Sequence, residues 1–498
     1  MRLYFRNTAF HTIVYSLGNI GTKMIGLLLL PLYTSVLDTS DYGLLAYFEV
    51  SVQLLIAILS LGFPTAIIRF CANETDVQKR KQIIFTILII TLSTLALVLA
   101  VMWNFRLQLS MGIFQTPAYQ SLISIVLLTV FFEVQNILAL SIMRLNEQSK
   151  FYVMVVLSKF TLILLLNVYF LVYLKMGVKG ILLSQLIGSV LLFIVTTNVM
   201  IKSSVASFNR TELKAILKYS LPLLVSASAA MLLNISDRYI VEYLLDFSQL
   251  GIYSLGYKFA SVINIFVIQS FQLGFMPIAF KIFSDKDSNK FFARLFTYLA
   301  LILLVFALVL SFFSIDVIRL MADNRDYWNA NAVIPILCIS FVFKGMQYIP
   351  MLSIHFAKKT HLDIYVVLVA GIVNVGLNFL LIPHMGIMGT AMAAAITSAL
   401  LLFFYMLLCR RLFPIPWEFL RLLKLFFIAG AALLLSLLPV ASGVLVQILY
   451  KILLLALFVA ALYVSRFFFQ SEMGLLKGLV KKWQKPADWF SNFKELKL

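Results

Sequence analysis

The chain has 498 residues, 62% of them apolar and 12% charged, with a formal net charge of +19. A soluble globular domain averages roughly 45 to 50% apolar and about 25% charged, so this composition excludes that class. It also excludes a nucleic-acid binder, because no long polar stretch is present to carry a basic face.

In chain order, apolar segments long enough to span a bilayer are expected at 12–36, 43–66, 83–104, 120–143, 152–174 and 178–201. The next fall at 219–243, 251–280, 295–316, 331–356, 363–382 and 385–409, followed by 422–440 and 444–465. The fold class is therefore an all-α polytopic membrane protein with about 14 transmembrane helices. The first apolar stretch runs on to Leu37 without a small-residue cleavage site, so it reads as a retained span. Cys71, Cys338 and Cys409 have neither disulfide nor metal-ligand spacing and read as small core residues.

Orientation follows from the loops. With both termini cytoplasmic, about 29 of the 40 Lys and Arg fall on the cytoplasmic side, about 5 outside and about 6 within spans. Nearly all of the net charge is thus an orientation signal. The tail after Phe467 reads either as an amphipathic surface helix or as a disordered basic segment.

An internal repeat organises the chain. DTSDYG at Asp38–Gly43 returns as DFSQLG at Asp246–Gly251, LSLGFP at Leu59–Pro64 as FQLGFMP at Phe271–Pro277, and MGVKG at Met176–Gly180 as MGIMG at Met385–Gly389. The offsets are about 208, 212 and 209 residues, in the same order. A unit of six helices re-enters the membrane with the same orientation, so the halves are expected as parallel lobes with a cleft between them. The expected division is a lobe at 1–201, a cytoplasmic linker at 202–218, a second lobe at 219–409, two extra helices within 410–467 and a basic cytoplasmic tail at 468–498.

The runs PLYTSVLDTSDYGLLAYF, LSLGFPTAIIRF and YSLPLLVSASAAMLLNISDRYIVEYLLDFSQLGIYSLGYKFASVINIF resemble bacterial polysaccharide repeat-unit flippases of the multidrug/oligosaccharidyl-lipid/polysaccharide exporter superfamily. The resemblance covers the twelve repeat helices and the extra pair. It implies a V-shaped exporter fold in the bacterial cytoplasmic membrane. It further implies that undecaprenyl-pyrophosphate-linked oligosaccharide moves from the inner to the outer leaflet by alternating access. Coupling to an H+ or Na+ gradient and partnership with a polysaccharide polymerase and glycosyltransferases belong to the same implication, as does a role for the cleft-facing helices 1, 2, 7 and 8. No cofactor and no nucleic acid are expected.

Ionisable side chains inside spans are costly, so each is a candidate functional group. Counted from the outer turns, Glu49 lies about 9 Å deep, Lys258 about 10 Å, and Asp237 and Arg238 about 13 and 12 Å. One reading pairs Glu49 with Lys258 or Arg238 as a gate across the cleft, with Asp237 or Glu49 carrying ion coupling. The other has Asp237 and Arg238 satisfying each other while Lys258 snorkels. Lys23 lies about 22 Å from Asp38, near the bilayer middle, and shares a helical face with Asn19 and Gly26. It is expected either to meet an anionic pyrophosphate in the cleft or to meet Glu133 inside the lobe. Arg69 reads as a phosphate contact at cleft entry or as a positive-inside anchor. Asn234, Tyr257, Asn264 and Lys344 are expected as lining, and Lys159 or Lys344 as a partner for Glu133. Asn374 and Asn378 are either sugar contacts or helix-to-helix hydrogen bonds.

Three rivals remain at this stage. A membrane glycosyltransferase or polymerase needs a converging acid/base constellation, and His11, His355, His361 and His384 form none. A drug/cation antiporter calls for excess carboxylates, whereas the spans hold about six bases against four acids. A lipid II flippase shares both fold and cargo charge.

Overall fold

A computed structural model describes residues 26, 28–283, 285, 287–359, 361–438, 443–469, 472 and 474. Among them the ordered elements are all helical. The first half comprises α1 (Leu30–Val36), α2 (Thr39–Leu59), α3 (Phe63–Cys71), α4 (Val77–Asn104), α5 (Arg106–Phe114), α6 (Gln120–Leu145), α7 (Ser149–Val168) and α8 (Gly177–Lys202). The second comprises α9 (Arg210–Leu244), α10 (Phe247–Ala260), α11 (Gln269–Ile282), α12 (Ser288–Met321), α13 (Ile334–Met346), α14 (Tyr348–Phe356), α15 (His361–Met385) and α16 (Ile387–Leu412). Then follow α17 (Phe419–Ser436) and α18 (Val444–Val464).

Twelve helical stretches among the described residues are long and apolar enough to cross a membrane, or thirteen if α9, bent by 48°, counts as one span. The expected span at 12–36 lies mostly outside the described residues, and its end is α1. Several spans are less regular than hydropathy implied. The crossing Thr39–Cys71 breaks where Leu61 and Gly62 take positive φ, dividing α2 from α3. A π-helical stretch, Asn264–Ile268, carries α10 into α11. Within the stretch 202–218, Asn209 caps α9 by accepting from the amides of Thr211 and Glu212, so the helix begins at Arg210.

Helices in a bilayer gain little from burying apolar surface against one another, so small residues and polar side chains set their contacts. In the first half α6 packs on α8, where the Asn136 amide donates to the Ser189 carbonyl at 2.9 Å. Lys159 of α7 and the Ser189 hydroxyl both donate to the Glu133 carboxylate. Lys159 is thus the partner of Glu133. In the second half Ser340 and Ser398 join α13 to α16 at 2.9 Å, and Asn374 donates to Thr397 at 3.2 Å, joining α15 to α16. Asn378 donates back to Asn374, so this amide pair serves helix contact.

The last two helices are fastened to α12 near both of its ends. Lys451 of α18 pairs with Asp316, and Glu418, just before α17, accepts from Thr297 at 2.7 Å. Arg421 is buried between Glu418 and Glu472, at 2.9 and 3.0 Å. The start of the tail is therefore packed, with Phe467 only 1% exposed. The rest of the tail, read as a surface helix or as a disordered basic segment, lies outside the described residues apart from 472 and 474.

Glu133 and Lys159 are half-buried; removing one member of a fully buried ion pair leaves an uncompensated charge at a cost of about 3–5 kcal/mol, an upper bound here, whereas replacing both with apolar groups is often neutral. Glu133→Ala is accordingly expected to lower the thermal unfolding midpoint in detergent markedly, and Glu133→Leu/Lys159→Met to regain most of it. A double variant as unstable as the single one would show that the pair is not what holds α6 to α7.

Candidate functional site

The two repeat turns meet face to face. Asp38 caps α2 by accepting the Asp41 amide, and Asp246 caps α10 by accepting the Gln249 amide, both at 2.7 Å. Thr39 and Ser248 hydroxyls lie 2.6 Å apart across the join. A Cβ at Gly43 would sit 1.8 Å from the Phe247 carbonyl oxygen, and one at Gly251 would sit 2.0 Å from the Thr39 carbonyl oxygen. Thr39 and Phe247 are themselves repeat equivalents, so the contact is reciprocal. Only glycine permits it, because any side chain would overlap the facing backbone.

Aromatic groups lock this end. From the loop between α12 and α13, the buried Tyr327 hydroxyl donates to the Leu37 and Asp38 carbonyls at 3.1 and 2.8 Å. Burial pushes its phenol well above the usual range, so it stays a protonated donor. From α5, Phe114 stacks on Phe247 and packs edgewise on Tyr47. Each half thus reaches over the turn of the other.

Beneath the closed end lies a cavity of about 570 Å³. Glu49 and Gln53 of α2 line it, as do Asn234 and Arg238 of α9, Tyr257 and Lys258 of α10, and Ser261 and Asn264 beyond them. Lys344 of α13 completes the charged wall. Seven expected residues converge here: Glu49, Asn234, Arg238, Tyr257, Lys258, Asn264 and Lys344. Among the described residues, the cavity is lined by three bases and one acid.

The expected ion pair of Glu49 with Lys258 or Arg238 is not made in this structure. Arg238 bonds instead to Asp237 of its own helix, Nη1 to Oδ1 at 3.0 Å, and lies 4.2 Å over the Tyr257 ring. Asp237 also accepts the Tyr253 hydroxyl at 2.5 Å and does not line the cavity. The Arg238 guanidinium, already held by Asp237 and the Asn234 carbonyl on its own helix and lying over the Tyr257 ring, is not turned to Glu49 across the cleft. Lys258 Nζ stands 5.9 Å from the ring centres of both Tyr33 and Tyr42. Arg69 is exposed on α3, away from the cavity. Lys23 and Asn19 lie outside the described residues. Sequence reasoning missed the tyrosines at 33, 42, 253 and 327, although Tyr42 stands directly beside the repeat glycine.

The close approach predicts a specific cross-link. With the three native cysteines replaced, Thr39→Cys/Ser248→Cys is expected to oxidise readily to a disulfide, and adding Gly43→Val is expected to abolish it by forcing the helices apart. Equal cross-linking with and without the valine would contradict the contact. Tyr327→Phe removes one buried donor at about 1–3 kcal/mol and is expected to slow cross-linking without unfolding the protein.

Comparison with known proteins places this geometry in context. A family model described as polysaccharide biosynthesis protein matches residues 10–283. No curated protein sequence matches the chain. The fold is similar to that of the lipid II flippase MurJ in an inward closed conformation, with TM-score 0.74 and 15% identity, covering 91% of this chain and 99% of that one. It is also similar to an inward-facing multidrug resistance MATE family transporter of the MOP superfamily, with TM-score 0.64, 14% identity and coverage of 78% and 94%. The Vibrio cholerae MATE transporter VcmN follows at TM-score 0.56 and 16% identity, with coverage of 82% and 98%.

Proposed function

The chain belongs to the polysaccharide biosynthesis protein family, and on that premise we propose that it flips a polyprenyl-pyrophosphate-linked saccharide from the inner to the outer leaflet of the bacterial cytoplasmic membrane. It is a multi-pass membrane transporter of the exporter superfamily and not an enzyme. The observation that carries the cargo reading is the cavity, where, among the described residues, Arg238, Lys258 and Lys344 stand against the single carboxylate of Glu49. An anionic pyrophosphate entering as water leaves meets strengthening attraction, and the neighbouring amides and hydroxyls suit sugar.

The mechanism follows from the same parts. The two halves, each a six-helix lobe, rock about the cavity with both termini cytoplasmic. Parting of the Gly43 and Gly251 turns opens the outer side, and their closure restores the inward state. Glu49 balances the bases while the cavity is empty, and the pyrophosphate displaces it. An H+ or Na+ gradient supplies the drive; glycosyltransferases act before the flip and a polymerase after it.

Two cargoes fit. The family match supports an oligosaccharide repeat unit, as for capsule or O-antigen. The likeness to MurJ runs over nearly the whole of both chains, so the lipid II reading has the broader structural support.

A leaflet-translocation assay in vesicles, run in parallel with lipid II and with a polyprenyl-pyrophosphate oligosaccharide, tests both. Lys258→Gln or Lys344→Gln is expected to lower flipping about tenfold, as loss of one charge-assisted bond of about 1.5–3 kcal/mol would. Glu49→Gln is expected to tighten binding of the pyrophosphate head while slowing turnover. Unchanged flipping in both lysine variants would refute the cationic cavity, and flipping of only one lipid would decide the cargo.

A further inference from the structure

Away from the central cavity, the end of α16 carries two troughs that share a ridge. One, of about 560 Å³, is walled by Val366, Phe404 and Leu408. The other, of about 650 Å³, is walled by Phe403, Pro414 and Trp417. Leu407 and Arg410, one helical turn apart, belong to both. Past Phe419 the second trough runs into an apolar groove along α17 to Phe426, a further seven residues or about 10 Å.

The ridge ends in charge. Arg410 and Arg411 occupy the last turn of α16 and are exposed. Neither makes an ion pair or hydrogen bond among the described residues. The nearest acid along the chain, Glu418, is already taken by Arg421 and Thr297. Helices alternate direction from the Asp38 turn onward, which sets these guanidiniums at the opposite end of the bundle from that turn. That is the end where exposed bases gather, and where anionic lipid is attracted.

We propose that this ridge and its two troughs bind an anionic diacyl phospholipid of the surrounding bilayer, one acyl chain in each trough and the phosphate on the Arg410 and Arg411 guanidiniums. The complementarity is of number as well as sign. Two apolar channels diverge from one cationic point, as two chains diverge from one headgroup. Guanidinium binds phosphate through paired donors, which a lysine ammonium offers only as a point charge. The lipid would thereby bridge α15, α16 and α17 without entering the central cavity.

Native mass spectrometry of the detergent-purified full chain, titrated with phosphatidylglycerol and phosphatidylcholine of identical chains, tests the site. The wild type is expected to retain phosphatidylglycerol at least about fivefold better than phosphatidylcholine. Arg410→Gln/Arg411→Gln is expected to erase that preference, and Leu407→Trp, which fills the ridge but keeps both charges, to weaken it. Lys214→Gln/Lys218→Gln, which removes two exposed bases at the same end, is expected to leave it intact. Retention of the preference in the arginine variant, equal loss in the lysine variant, or full binding in Leu407→Trp would overturn the proposal.

Discussion

Where Gly43 meets Gly251, two helix N-termini abut backbone against backbone, with the Thr39 and Ser248 hydroxyls joined beside the contact. Both ends carry the positive pole of a helix dipole, and juxtaposing them is unfavourable unless anions stand nearby. Asp38 and Asp246 supply those anions as N-caps, each accepting an amide at 2.7 Å. The D-x-S-x-x-G repeat therefore has a double physical role. Its aspartate neutralises and caps, and its glycine, one turn on, removes the side chain that would hold the helices apart. Everything deeper in the bundle inherits the register that this contact sets, including the opposition of Glu49 and Lys258 across one cavity.

Among the described residues, the charges inside the bundle are of two kinds. Glu133 with Lys159, Asp237 with Arg238, and Asp316 with Lys451 are paired in contact, which is how a bilayer protein tolerates ions in low dielectric. Lys258 and Lys344 have no contact carboxylate among the described residues, and both face open space in the cavity beside aromatic rings. Arg238 belongs to both kinds, held by Asp237 and still exposed to the cavity. A cation beside neutral aromatic groups, Tyr33 and Tyr42 for Lys258 and Phe341 for Lys344, is held more weakly than one in an ion pair.

Much of this was legible in the sequence. Spans announce themselves because a bilayer demands about 20 apolar residues, and the repeat exposed the two turns that meet. Seven of the expected polar residues share the cavity, because charges in spans are too costly to be placed casually. Which partner each one takes was not legible. Asp237 and Glu49 are both acids at a depth Arg238 can reach, and only the rotation of α9 within the bundle selects the first. Tyr327 lies about 290 residues from the carbonyls it binds, and no local spacing encodes such a contact. The fastening of α17 and α18 through Asp316, Thr297 and Glu472 was hidden for the same reason.

In the proposed transport cycle the join between the two repeat turns is a moving gate. Electron–electron distance measurement between spin labels at Ser40→Cys and Gln249→Cys, in lipid vesicles with and without a polyprenyl-pyrophosphate saccharide, tests it directly. One short distance is expected in the empty protein, and a second, longer population that grows when cargo is present. A single unchanged short distance under conditions of active flipping would contradict it.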